Sequence, residues 1–350
     1  MDTSTAEILD EISDSDMQFV MDDIMGSSSF DFTDYVGKIV NGEVPFSVQD
    51  ILQTIFDGLR ENFMHDRKIY VYIIIIAVMG AVITNFSKLL QGKKVSEMAF
   101  YSVYILFFSV LITSFTNMAA VAKDTLSNLL DFMKVLSPAY FMSVSFSTGS
   151  MAGSVYYQTT LITITIVNYI LVKFILPAIQ IYFLLQLANQ LSEEDMFSKL
   201  SELIRDIVNT VMKTMFGIVM GINVVQGLVV PATAQAKQSL IVKAGSAIPG
   251  IGSTISSVAG TILCAGKLVK NAVGVTGIIA VFIICVIPML HLWISRFMYQ
   301  AVVVFIQPVS DKRIIKCLGA VVETLKMQIY AVGAGVMMFV ISIAIISAMT

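Results

Sequence analysis

Apolar residues fall into long, nearly uncharged runs separated by short polar stretches, and the lengths of those runs decide the fold class. Ile69–Phe86 contains no charge and is flanked by Arg67, Lys68 and Lys88. Met98–Ala122 is also uncharged, with Phe100, Tyr101 and Tyr104 near its start, where an aromatic belt meets a membrane interface. Ile207–Val230, Val275–Ser295 and Ile329–Met349 are further runs of this kind. About 20 apolar residues cross a ~30 Å hydrocarbon core as one helix. Val155–Leu191 is longer than that: 37 largely apolar residues interrupted only by Lys173 and Pro177. As a single helix it would extend ~55 Å. The favoured reading is one long helix, tilted or kinked near Pro177, and a broken helix with two half-segments is the alternative.

Between these runs the period is helical but one-sided. Val48, Ile51, Leu52, Ile55, Phe56 and Leu59 share one helical face, with Ser47 placed as an N-cap. Leu126, Leu129, Leu130, Met133 and Leu136 share another within Lys123–Leu136, which Pro138 is expected to end. Phe141–Ser154, rich in Ser, Thr and Gly, reads as a loop or an irregular packed segment. Ser192–Asp195 resembles a capping box opening a polar helix to about Asp206. Pro231 is expected to end the span before it, leaving Ala232–Ser246 as a polar connection. Phe297–Ile306 is apolar and leads into Gln307 and Pro308, and Asp311–Lys326 is charged and amphipathic. Ile248–Gly266 mixes Pro249, Gly250, Gly252, Gly260 and Gly266 with Ser, Thr and Ala, small residues that let helix backbones approach closely.

The pattern predicts an all-α polytopic transmembrane helical protein with about six spans. Residues 248–266 add a re-entrant or seventh helix, and amphipathic helices connect the spans. The lipid bilayer is its first partner. An acidic, partly helical N-terminal segment, 1–66, precedes a multi-span membrane region, 67–350.

Composition strengthens this picture. The chain is 56% hydrophobic and only 13% charged, about half the charge density of soluble domains, and its mean hydropathy is +0.82. The net charge of −3 is unevenly placed. Residues 1–66 hold 15 of the 25 acidic groups but only two basic ones, Lys38 and Arg60. That segment is expected to be water-facing and extracytoplasmic. Asp2, Glu7, Asp10 and Glu11 give the first residues no basic or apolar signal-peptide region. Either the acidic tail is cytoplasmic or a signal sequence lies outside this numbering. Loop lysines and arginines divide almost evenly between the two sides and do not settle orientation. No Lys/Arg block is interleaved with aromatics, so no nucleic-acid partner is expected. Cys264, Cys285 and Cys317 are far apart and read as small apolar core residues.

Catalytic chemistry is scarce, and neither enzyme activity, nor a cofactor, nor a metal is expected. His65 and His291 stand alone, without a second His or Cys at metal-ligand spacing. Gly260 to Lys267 fails as a phosphate loop: five residues separate Gly260 from Gly266, and Leu268 stands where Ser or Thr must hold Mg²⁺. His291, one turn after Pro288 and near Trp293 and Arg296, reads as an interfacial residue rather than a proton relay. Lys173 and Lys213 are more informative, because a lysine at mid-span costs ~2.5–3.5 kcal/mol on insertion scales and should face protein or water. Asn168, Gln180, Gln186, Asn189, Asn223 and Gln226 join them as candidates to line a solute path or to make interhelical hydrogen bonds. Snorkelling to the interface is the plainer role for the two lysines.

Several stretches carry a resemblance. Lys270-Asn271-Ala272-Val273-Gly274-Val275, an apolar span, and then Gln307-Pro308-Val309-Ser310-Asp311 resemble the stage III sporulation protein AE family. Val225-Gln226-Gly227-Leu228 before Pro231, Leu187–Ser192 before Glu193, and Phe46-Ser47-Val48-Gln49-Asp50 fit the same pattern. The resemblance implies a membrane component of a trans-envelope channel between mother cell and forespore, supporting late forespore development. It would sit in the mother-cell-derived membrane around the forespore. Its implied partners are other stage III sporulation membrane proteins, with self-association an open alternative. Lys270, Asn271, Gly274, Pro308 and Asp311 carry the family-like motif; the family brings no catalytic residues.

Overall fold

The computed structural model describes residues 19–22, 24, 31–43, 48–89, 93–148, 151–191, 196–246 and 252–348. Apart from turns and short connections, these are helical. The helices are α1 (Phe32–Val40), α2 (Val48–Leu89), α3 (Lys93–Thr148), α4 (Met151–Ile170), α5 (Leu176–Leu191), α6 (Ser198–Ser246), α7 (Gly252–Ile306) and α8 (Lys312–Ala348). A five-residue π-helical turn, Leu171–Ile175, joins α4 to α5. Five stretches among the described residues are long and apolar enough to cross a membrane: Tyr101–Pro138, Gln158–Gln190, Ser198–Val225, Cys264–Ile306 and Lys312–Ile345. The apolar run Ile69–Phe86 lies inside α2, whose described side chains end at Ile83.

The helices are longer than the sequence pattern predicts, because amphipathic and apolar runs fuse. The amphipathic stretch from Val48 and the apolar run from Ile69 form one 42-residue helix. The charged stretch from Lys312 and the apolar run from Ile329 fuse in the same way into α8, and Val275–Ser295 and Phe297–Ile306 belong to α7, which passes through Pro288.

Three expected breaks are absent. Pro138 does not end its helix: α3 continues to Thr148 and absorbs the first half of the expected loop at 141–154. Proline removes one backbone hydrogen bond and costs ~3 kcal/mol in a helix interior. Against that cost, Leu126, Leu129, Met133, Leu136, Tyr140 and Val144 form an unbroken buried stripe across the proline. The Ser137 hydroxyl donates to the Met133 carbonyl at 2.9 Å beside the proline. Likewise α6 runs past Pro231 to Ser246, so Ala232–Ser246 is helix rather than a connection. From Gly252 the small-residue stretch is the opening of α7, continuous with the span that follows, and not a separate or re-entrant helix. The capping-box residues 192–195 lie outside the described residues.

The overlong run 155–191 is helical throughout, with one irregularity, a π-turn just before Pro177. The proline has no N–H to offer the carbonyl one turn back. The preceding turn is widened to a π-turn, in which the Leu176 N–H reaches the Leu171 carbonyl.

α7 is the hub of the bundle. It packs against α3 and α8 most extensively, and against α2, α1 and α6 as well. Buried side chains from every helix join one continuous core, including Phe107, Phe132, Phe183, Val273, Val281, Leu292 and Phe339. Phe115 and Phe183 lock α3 to α5 with ring centroids 4.0 Å apart.

Candidate functional site

The polar residues that the sequence singles out separate into local clasps. At the α5–α6 turn, Gln186 Nε2 donates to Ser201 Oγ at 3.0 Å, and Asn189 Oδ1 accepts from the Phe197 N–H at 3.1 Å. These amides close a turn. Asn223 of α6 is buried and donates through Nδ2 to Ser342 Oγ of α8 at 2.7 Å. Lys173 and Gln180 are exposed on the outer surface of α4–α5. Lys213 lines an open groove between α6 and α8. Gln226 lies on α6, and its side chain is outside the described residues. The described members of this set therefore do not share one cavity.

The two family-like motifs bracket one helical hairpin, α7 and α8. At its closed end the chain turns through exposed Pro308, and Asp311 caps α8: Oδ1 accepts from the Arg313 N–H at 2.9 Å and its carbonyl from the Ile315 N–H at 3.2 Å. At the open end Lys270, only 1% exposed, reaches from α7 to the last turn of α8 and donates to the Ser347 carbonyl at 3.1 Å. A cation on terminal carbonyls satisfies acceptors that have no partner inside their own helix and complements the negative end of the helix dipole. Tyr140 of α3 adds a 2.8 Å hydroxyl contact to Ser347 Oγ. Gly274 sits one turn along α7, where an added Cβ would run into Ser347 Oγ and press on the Tyr140 ring. The glycine lets three helices meet. Asn271 points outward and takes no part in the clasp. Asp311→Ala is expected to cost about 1 kcal/mol, the usual value of an N-cap. The check is thermal unfolding of the detergent-purified protein, with Asp311→Asn retaining most of the stability.

A further polar cluster was not anticipated. Asp66 of α2 and His291 of α7 are both buried, with Oδ2 and Nε2 2.7 Å apart. His291 is thus an interhelical partner; Trp293, about half exposed, takes the outward face, with the Arg296 guanidinium 5.8 Å from its ring centre. One turn on from Asp66, Tyr70 packs edge-to-face on Tyr299, and the Tyr299 hydroxyl pairs with Ser114 of α3. Asp66 and Tyr70, and His291 and Tyr299, recur at multiples of four on apolar helices. That polar stripe is the sequence signal for the cluster.

Cys285 and Cys317 are buried as expected, whereas Cys264 is exposed. Among the described residues no three His, Cys, Asp or Glu side chains gather as a metal site would require.

Long apolar helices, polar side chains spent on helix-to-helix clasps, and a hub helix contacting most of the others define a polytopic α-helical membrane protein. The chain belongs to the stage III sporulation protein AE family, whose model matches residues 30–350. It is similar to the stage III sporulation protein AE of Bacillus subtilis (strain 168), with 21% identity over 314 residues, covering 88% of this chain and 78% of that one. No solved structure matches it.

Proposed function

We propose that this chain is an integral membrane subunit of a sporulation-specific trans-envelope channel or export complex between mother cell and forespore. It would reside in the mother-cell-derived membrane around the forespore and assemble with other stage III sporulation membrane proteins or with its own copies. The observation that carries this reading is Lys173. It lies near the middle of the Gln158–Gln190 stretch and is exposed on the outside of the bundle, with Gln180 two turns away and also exposed. A lysine facing hydrocarbon at that depth costs ~2.5–3.5 kcal/mol. A neighbouring subunit or a hydrated space between subunits removes that cost.

The dispersed clasps favour an anchoring role for the single chain, with any conducting path formed between subunits. A non-conducting scaffold for the same complex is the second reading, supported by the same dispersal. Neither reading assigns an enzymatic step to this chain.

Crosslinking and co-purification of the tagged protein from sporulating cells tests the assembly. Recovery with partner membrane proteins or as an oligomer is expected, and recovery solely as a monomer overturns it. Lys173→Met is expected to reduce partner recovery and spore yield severalfold while leaving membrane insertion intact. Unchanged recovery and yield would remove Lys173 from the interface.

A further inference from the structure

We propose that the groove between α6 and α8 binds an anionic phospholipid, its phosphate held by Lys213 and Lys326 and its acyl chain lying against the apolar part of the same groove. The groove encloses about 450 Å³, a volume typical of small-molecule sites. One end is charged, with Lys213 and Asn209 from α6 and Glu323 and Lys326 from α8. The remainder is lined by Met212, Phe216, Met327, Tyr330 and Ala334.

Depth supports a lipid. α6 and α8 both pass from a charged N-terminal portion into an apolar one, with Lys326 just ahead of the run from Ile329 and Lys213 about two turns into the run from Ile207, so their flexible side chains reach back toward the headgroups. Ala334 lies beyond Lys326 by roughly 12 Å of helix rise on the apolar side. The groove also opens sideways. Tyr330 is 55% exposed, and Ile207 and Ile218 of α6 and Met337 of α8 are exposed to about the same degree. An apolar surface of this kind faces acyl chains, whereas a site for a water-soluble anion would open to solvent.

Charge supports an anionic headgroup. Glu323 approaches Lys326 at 3.7 Å, and the Lys326 ammonium lies 5.9 Å from the Tyr330 ring centre. The partial pairing leaves a net positive charge on the groove once Lys213 is counted. Lysine binds phosphate as a flexible point charge, and a lysine near an anionic membrane surface contributes about 1 kcal/mol, or roughly fivefold in affinity. The assignment stands on the groove alone and is independent of the role proposed within the sporulation complex.

The test is native mass spectrometry of the detergent-purified full chain titrated with phosphatidylglycerol and, separately, phosphatidylcholine of the same acyl length. Preferential retention of phosphatidylglycerol is expected. Lys213→Gln and Lys326→Gln should each lower that preference roughly fivefold. Glu323→Gln should raise it, so the prediction survives a lysine variant that fails to fold. Lys134→Gln, on an exposed helix surface elsewhere, should leave it unchanged. Equal retention of both lipids, or a preference indifferent to Lys213→Gln and Glu323→Gln, overturns the proposal. Competition by glycerol phosphate as effective as that by the intact lipid also overturns it, because the apolar half of the groove would then be idle.

Discussion

Asp66→Ala is expected to destabilise the bundle by about 3 kcal/mol. Removing one partner of a buried pair leaves the other buried and uncompensated, and such losses run to about 3–5 kcal/mol. The low end applies because interhelical polar contacts in membranes are weaker than in water-soluble cores. Asp66 and His291 are 4% and 8% exposed, and their 2.7 Å contact joins α2 to the hub helix α7. His291→Ala should cost a comparable amount. The double variant Asp66→Leu/His291→Leu should recover much of the loss, since an apolar pair of suitable volume replaces a buried polar pair at little cost. Thermal unfolding of the purified proteins in one detergent provides the double-mutant cycle. A loss below 1 kcal/mol in both single variants would show that the pair contributes no coupling between α2 and α7.

The second large effect is at Gly335, in the buried half of α8. A Cβ there would lie 2.6 Å from Leu126 Cδ2 of α3 and 3.0 Å from Asn168 Oδ1 of α4. Leu126 can move at its flexible end. Asn168 cannot retreat easily, because it is fully buried. Overpacking a filled core costs typically about 1–3 kcal/mol, and Gly335→Val should reach the upper end because its branched Cβ enlarges the clash. Gly335→Ala should be milder. The expected readouts are a lower unfolding temperature for Gly335→Val and easier proteolysis of the α3–α8 contact. Wild-type stability in Gly335→Val would mean that α3, α4 and α8 do not approach as closely as the structure places them.

The sporulation family's motif residues divide between structural jobs once their neighbours are known. Asp311 and Lys270 attend to opposite ends of α8, and Gly274 provides clearance for Ser347 and Tyr140. Each interaction joins residues that are local in space, yet Lys270 and Ser347 are far apart in sequence. A lysine after a small-residue stretch does not reveal which helix end it serves. The Asp311 cap is a local feature by contrast, since capping depends on the next few residues alone.

What the sequence determined by itself follows from local rules. Uncharged runs of spanning length require helices in a bilayer, because every backbone group must be satisfied within the segment. The irregular turn beside Pro177 follows from a missing N–H. Element boundaries were decided by tertiary packing. Pro138 looks like a terminus in sequence, but a continuous buried stripe from Leu126 to Val144 holds α3 together across it. The polar residues show the same division. Their presence on apolar helices was legible in the sequence, while partner choice depended on which helices α7 brings together. Only the folded bundle could place His291 against Asp66, turn Lys173 outward, and set Lys213 across from Lys326.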